Sequence, residues 1–208
     1  MSEVWSRGTR GYYVVACVMM AYILAVFMSA FERRKPRTRE IVVIIVMVTL
    51  GVVGRMAFFM IPQFKPVVAI VVIAGTGLSG EIGFVVGAMT AFISNFFFGQ
   101  GPWTMWQMLA LGIIGFISGV LTEKGILRKK RLPLSIFGGC ATFFIYGGIM
   151  NPCSVIMFTA KPTFKALIAA YISGFWFDLI HSIATVIFLW VLAMPMLQKI
   201  ERVKKRLG

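Results

Sequence analysis

The stretch that decides how this chain is built is Ser-Asn-Phe-Phe-Phe-Gly-Gln-Gly-Pro-Trp-Thr-Met-Trp-Gln-Met, residues 94–108, which joins two strongly apolar segments near the middle of the sequence. Gly99, Gly101 and Pro102 break any helix that runs into it, because glycine is conformationally free and proline lacks a backbone donor. Around the break stand Trp103 and Trp106 with the amides Asn95, Gln100 and Gln107, at the level where a membrane segment meets water. Tryptophans at that level commonly serve as interfacial anchors. Aromatic bodies accompanied by amide tips also suit a small organic ligand.

Working outward, the composition excludes a water-soluble domain. Hydrophobic residues make up 59% of the chain and charged residues only 13%, about half the usual charge of a soluble domain. The chain reads as an all-α integral membrane protein. Its net charge of +14 comes in short runs between apolar segments, where it faces anionic lipid and sets topology rather than binding nucleic acid. Cys17, Cys140 and Cys153 have no paired spacing and sit in apolar runs, so neither a disulfide framework nor a metal site is indicated.

Tyr12 to Phe31 is long enough for one bilayer crossing of about 20 residues. Arg7 and Arg10 precede it in the manner of a secretory signal, but the apolar run is too long for a signal core and no small-x-small site follows. It is read as a retained helix. Arg33, Arg34, Lys35, Arg37 and Arg39 then form a cytoplasmic marker. A span from Ile41 to Ile61 ends at Pro62, and the short loop beyond carries Lys65. Pro66 to Ser79 is apolar but covers only about two thirds of the hydrocarbon at a rise of about 1.5 Å per residue, so it needs protein around it.

Gly80-Glu81 forms a turn before the span Ile82 to Phe98, whose Gly83 and Gly87 admit a close helix neighbour. Met105 to Leu121 follows, with Gly112, Gly115 and Gly119 on one face. Lys124 to Arg131 is a second basic loop. Leu134 to Met150 returns outward and is interrupted at Asn151-Pro152; Ser154 to Thr163, with Lys161, reads as a loop or half-helix. Phe164 to Met194 is the last span, and Lys199 to Arg206 a basic tail. The three basic clusters belong on one side of the membrane. This parity holds if Pro66 to Ser79 counts as a crossing, which gives six core spans with a cytoplasmic carboxyl terminus and one extra helix in front. The organisation is therefore a hydrophobic helix and basic linker over 1–38, a membrane core over 39–197 and a cytoplasmic tail over 198–208.

That topology sends polar residues from distant spans to one outer level: Arg55, Asn95, Gln100, Gln107, Tyr146, Asn151, Asp178 and His181, with Lys65 in the adjoining loop. A charge at the centre of a bilayer helix costs about 2.5 to 3.5 kcal/mol, so such groups face the bundle and have partners. Two arrangements are open: a buried network in which Arg55 pairs with Asp178, or a ligand pocket. A single His without a second ligand at suitable spacing makes a poor metal site. The phosphate-binding loop, the His-Glu-x-x-His helix and the haem attachment motif are all missing from the sequence. Uphill transport would thus draw its energy from a partner or an ion gradient.

The basic-flanked first core helix, the short second helix, Gly80-Glu81, the Gly83 to Asn95 helix and the Gly-Pro-Trp-Thr-x-Trp-Gln-Met segment from Gly101 to Met108 together resemble the substrate-binding S components of energy-coupling factor (ECF) vitamin transporters. The likeness covers Arg39 to Met194 and is strongest from Lys65 to Gly119. It implies a six-helix bundle that captures a vitamin or related micronutrient from outside and topples in the membrane to release it. The partners it implies are a transmembrane T component and two ATPases, which alone use ATP; the chain itself carries no cofactor and is no enzyme. On this resemblance the substrate site comprises Arg55, Lys65, Asn95, Gln100, Trp103, Trp106, Gln107, Tyr146, Asn151, Asp178 and His181.

Within that family the Gly101 to Met108 segment is most similar to the cobalamin-type members, which makes amide-rich cobalamin the first candidate substrate. Gly51 and Gly54 stand where the family's small-residue pattern docks the T component, at a spacing of three rather than four, and Gly83 and Gly87 extend that small-residue surface. Two other readings use the same residues: a membrane enzyme on a lipid or prenyl substrate with Asp178 and His181 as acid and base, and a non-catalytic assembly subunit.

Overall fold

The computed structural model describes residues 38–159 and 162–207 and, in the amino-terminal region, residues 11, 14, 17–26, 28–29 and 32. Arg7 and Arg10, the linker residues 33–37 and Lys161 lie outside the described residues. All regular structure among the described residues is helical. A short apolar helix α1 covers Cys17–Val26. It is followed by α2 (Thr38–Ala57), α3 (Val67–Gly77), α4 (Gly80–Phe98), α5 (Trp103–Glu123), α6 (Arg131–Cys140), a π-helical turn (Ala141–Tyr146), α7 (Gly147–Phe158) and α8 (Phe164–Leu207). Among the described residues, five helical stretches are long and apolar enough to cross a membrane: Glu40–Ala57, Gly80–Phe98, Trp103–Glu123, Arg131–Phe158 and Phe164–Lys205.

The exception is α3, and the bundle is arranged around it. Its eleven residues, Val-Val-Ala-Ile-Val-Val-Ile-Ala-Gly-Thr-Gly, are all buried. At about 1.5 Å per residue it is about 16 Å long, half the hydrocarbon thickness. It nonetheless joins the two ends of the molecule. Leu78, just past its end, accepts a hydrogen bond from Lys204 Nζ in the basic tail (3.0 Å), whereas Pro66 at its start packs beside Gly54 near the far end of α2. Burial on every side satisfies the condition for so short a segment.

Glycines bring its neighbours close. A Cβ on Gly83 of α4 would strike the backbone of Gly115 on α5, and one on Gly115 would strike that of Gly83; Gly75 of α3 meets Gly115 and Ser118 at the same level. Gly87 lies against the Leu111 backbone, and Gly119 against Ser79 and Gly80. The hairpin closes at its other end through residues 99–102, where Gly99 adopts φ 98° and Pro102 caps α5. Gly83 and Gly87 therefore face the chain's own helices and are not a surface for a partner. Gly51 and Gly54 likewise face Thr90 and Pro66. These small residues thus take part in packing α2, α3, α4 and α5 together.

Three boundaries differ from expectation. Helix α2 ends at Ala57, ahead of Pro62, and 3₁₀-type bonds from Phe59 N to Met56 O (3.0 Å) and from Ile61 N to Phe58 O (3.2 Å) carry the chain away, since a residue before proline disfavours the helical region. Pro152 does not interrupt its span, because α7 runs through it to Phe158. The carbonyl that Pro152 leaves without its usual donor is that of Gly148, and it accepts a bond from the Tyr171 hydroxyl of α8 (3.2 Å). The irregularity sits instead at the π turn. Finally, α8 passes Pro195 and continues to Leu207 as one helix of 44 residues, so residues 198–207 prolong the last span as helix. Its Glu201 pairs with Lys129 (3.6 Å), which places the second basic loop and the basic tail at one end of the molecule. Helix α1 adds Leu24 to a small cluster with Phe84 and Ala88 on the flank of α4.

Gly115→Ala should destabilise the bundle by about 1–3 kcal/mol through forced separation of α4 from α5. Gly148→Ala, whose Cβ meets nothing within 4 Å, should be neutral in the same thermal unfolding series in detergent. Tyr171→Phe should cost about 0.6–1.7 kcal/mol, the range of hydrogen bonds in membrane bundles, while Tyr171→Phe combined with Pro152→Ala should recover most of the loss because the helix then supplies its own donor.

Candidate functional site

A cavity of about 100 Å³ opens at the end of the bundle opposite the basic loops. It is lined by Arg55 of α2, Gln63 and Lys65 of the following loop, Val67 of α3, Gln107 and Leu111 of α5, Tyr146 of the π turn and His181 of α8. Each wall has a local cause. Arg55 is three residues short of the helix break forced by Pro62 and Pro66. Gln63 has φ 57° and is the centre of a tight turn closed by Phe64 N donating to Pro62 O (2.8 Å). A non-glycine residue in that region costs energy and is commonest where function holds it there. Phe64 and Phe58 stack with Phe188 of α8 at centroid distances of 5.1 and 5.0 Å, which pins the loop carrying Gln63 and Lys65. The π turn widens the backbone by one residue before Tyr146, whose ring meets His181 edge-on at 5.0 Å.

Behind the wall a network fixes Arg55. Its Nη1 donates to Ser94 Oγ (2.5 Å) and to Asn95 Oδ1 (2.8 Å). Asn95, only 1% exposed, uses its other end to donate to Thr104 Oγ1 (2.9 Å) and Gln107 Oε1 (2.8 Å). Thr104 in turn donates to Gln100 Oε1 (2.9 Å), and Gln100 Nε2 reaches the Phe92 carbonyl (2.9 Å). Asn95 thus links α2, α4 and α5, with both Nδ2 donors and one of its two Oδ1 acceptor positions taken, and does not line the cavity. Both cations lie over one ring, Arg55 at 4.5 Å and Lys65 at 5.3 Å from the Phe98 centroid. Burial, and secondarily the charge of Arg55, holds the Lys65 ammonium below its ordinary range.

The expected site residues therefore divide. Arg55, Lys65, Gln107, Tyr146 and His181 share the cavity wall. Asn95 and Gln100 belong to the network behind it. Trp103 folds its indole against Gly101, and neither Trp103 nor Trp106 lines the cavity. Asn151 donates to Asp178 Oδ2 (2.7 Å), a pair that does not line the cavity; the alternative Arg55–Asp178 pairing is replaced by neutral partners on Arg55. Gln63, Val67 and Leu111 are the residues that sequence reasoning missed. Pro62 and Pro66, bracketing Gln63, were the available signal for an unusual turn; Val67 and Leu111 had none, being ordinary apolar positions.

An all-helical, multi-pass membrane protein with a small cationic cavity at one end is the class these features define. Within it, the chain belongs to the family of unknown function DUF6580, whose model matches residues 34–204. It is similar to UPF0397 proteins of Aliivibrio salmonicida, 31% identical over 113 residues (52% of this chain, 59% of the relative), and of Vibrio atlanticus, 26% identical over 120 residues (54% and 65%). A UPF0397 protein of Aliivibrio fischeri is 30% identical over 104 residues (48% and 55%). The chain thus matches somewhat over half the length of these relatives. No solved structure matches it.

Asn95→Leu keeps the branched heavy-atom skeleton but strips partners from Arg55, Thr104 and Gln107. It should lower stability by about 2–4 kcal/mol, because buried polar groups and a charge lose their bonds together. Thermal unfolding read by tryptophan fluorescence measures this.

Proposed function

We propose that the chain is the membrane-embedded substrate-capturing subunit of an energy-coupling factor importer for a vitamin or related micronutrient. The carrying observation is the cavity itself. Side chains from α2, α3, α5, the π turn and α8 and from one strained loop converge on it, at the end opposite the basic loops. With positive charge on the cytoplasmic side, the cavity opens outward. Counting the short, wholly buried α3 as a crossing then makes six core spans with the carboxyl terminus inside and α1 as the additional front helix. Capture occurs without chemistry in this chain; a T component and two ATPases supply the power stroke, and toppling of the bundle delivers the substrate.

Size bears on the substrate. About 100 Å³ is well under the 300–1,000 Å³ of pockets for drug-sized ligands. A compact micronutrient fits this conformation, whereas cobalamin would need the Phe58 to Pro66 loop to swing away. The enzyme reading loses its acid partner, since Asp178 is engaged by Asn151 and only His181 reaches the cavity.

Purified chain, with no ATPase present, should retain a small molecule identifiable by mass spectrometry. Gln107→Ala should weaken its binding about tenfold, the equivalent of about 1.4 kcal/mol. Trp103→Ala should leave affinity unchanged. Uptake into proteoliposomes should require the T component, the ATPases and ATP. Absence of any retained molecule, or uptake by the chain alone, would overturn the proposal.

A further inference from the structure

The cavity's charge is one-sided. Arg55 and Lys65 both line it, and their contacts are the neutral Ser94 and Asn95 and the Phe98 ring. Within residues 38–207 the carboxylates lie elsewhere. Glu123 receives the Gly80 amide and Glu201 pairs with Lys129, both at the basic end. Glu40 and Glu81 occupy the first turns of α2 and α4, whose opposite ends carry Arg55 and Asn95. Asp178, the one acid in the cavity half of α8, is turned to Asn151 and does not line the cavity. Two partly buried cations without a counter-charge repel one another and lose hydration, an arrangement that an incoming anion relieves.

The neutral lining fits the same ligand. Gln63, Gln107, Tyr146 and His181 all offer donors, and the strained turn holds Gln63 toward the cavity. Asn95 already occupies Gln107 Oε1 through its own Nδ2, which turns the Gln107 NH₂ to the cavity side beside Tyr146, its hydrogen-bond partner there. Donors therefore outnumber acceptors around a volume of about 100 Å³, a few times the roughly 30 Å³ share of one water molecule. Val67 and Leu111 supply an apolar wall for a short carbon skeleton.

We infer that this cavity selects a compact oxyanion, a carboxylate or phosphate group on a small body, clasped between Arg55 and Lys65. The inference rests on the capture reading above and names the substrate class of that same site. Arg55, positioned by Asn95, provides a planar fork; Lys65, on its loop, provides a point charge that closes over the ligand. An anionic lipid headgroup carries the same chemistry at the same membrane level, so the source has to be separated from the site.

Full-length chain in phosphatidylcholine nanodiscs would be titrated with benzoate and with benzamide, which share shape and differ in charge, and with inorganic phosphate. Benzoate should raise the unfolding temperature in the millimolar range and bind at least about tenfold tighter than benzamide. Lys65→Gln should abolish that preference without lowering the unliganded unfolding temperature, because the contact it gives up with Phe98 is offset by relief of its repulsion from Arg55. Arg55→Gln should also abolish the preference, at a lowered unliganded unfolding temperature because Ser94 and Asn95 lose their donor. Equal response to benzoate and benzamide, or no response to benzoate and phosphate, would overturn the inference.

Repeating the titration with phosphatidylglycerol in the discs separates the sources. Competition with benzoate would support the oxyanion site with a headgroup as occupant; unchanged affinity would support it with a free ligand. The two readings fail separately. Oxyanion binding without ATP-dependent uptake would sink the importer and spare the site, whereas uptake of a neutral or cationic micronutrient unaffected by Lys65→Gln would sink the oxyanion and spare the importer.

Discussion

Gly75, Gly83 and Gly115 meet at one level where α3, α4 and α5 touch backbone to backbone. In lipid there is little hydrophobic force between helices, so close packing and polar contacts must hold them. Removing three side chains at this point lets the helices approach until their backbones make van der Waals contact. The consequences run the length of the bundle. With α4 and α5 closed on each other and joined through residues 99–102, Asn95 and Gln107 come within 2.8 Å. With α3 packed against both, Val67 reaches the cavity wall and the loop after α2 contributes Gln63 and Lys65 to it.

The polar end of the molecule follows from that closure. Asn95 spends three of its four hydrogen-bonding positions on Arg55, Thr104 and Gln107 and does not line the cavity, so it stabilises the site from behind. Across the cavity, two departures from regular helix perform different tasks. The π turn at Ala141–Tyr146 re-aims Tyr146 toward His181. Pro152 frees the Gly148 carbonyl, and Tyr171 binds it, tying α7 to α8. One irregularity directs a side chain into the cavity; the other is repaired from a neighbouring helix.

The result is a division between residues that build the cavity and residues that face it. Asn95, Ser94, Thr104 and Gln100 form a rigid backing at the α4–α5 turn, and the pair Asn151–Asp178 is satisfied within α7 and α8. Arg55, Lys65, Gln107 and His181 point inward with donors to spare. Under the proposed reading, this excess of cations and donors gives the site its preference for an anion.

Much of this was legible in the residues alone. Apolar runs separated by Gly99-Gln100-Gly101-Pro102 and by basic clusters specify helices, their breaks and the common end of the basic loops, because backbone satisfaction in lipid leaves helices as the solution for such runs. The shortness of α3 was equally plain from its length. The route of the chain through Pro152 and Pro195 was not, since whether a proline ends a membrane helix depends on a neighbour able to bind the freed carbonyl, as Tyr171 does. Nor was the assignment of glycines to inner contacts or the exclusion of Trp103 and Trp106 from the cavity wall. A helical residue's direction turns by about 100° per position, so which amides and cations share a cavity depends on how each helix is rotated about its axis. Sequence by itself determined the helical spans, their polar ends and the stock of ionisable groups; tertiary packing alone, through the glycine contacts and the π turn, decided which of those groups look at one another and which look into the cavity.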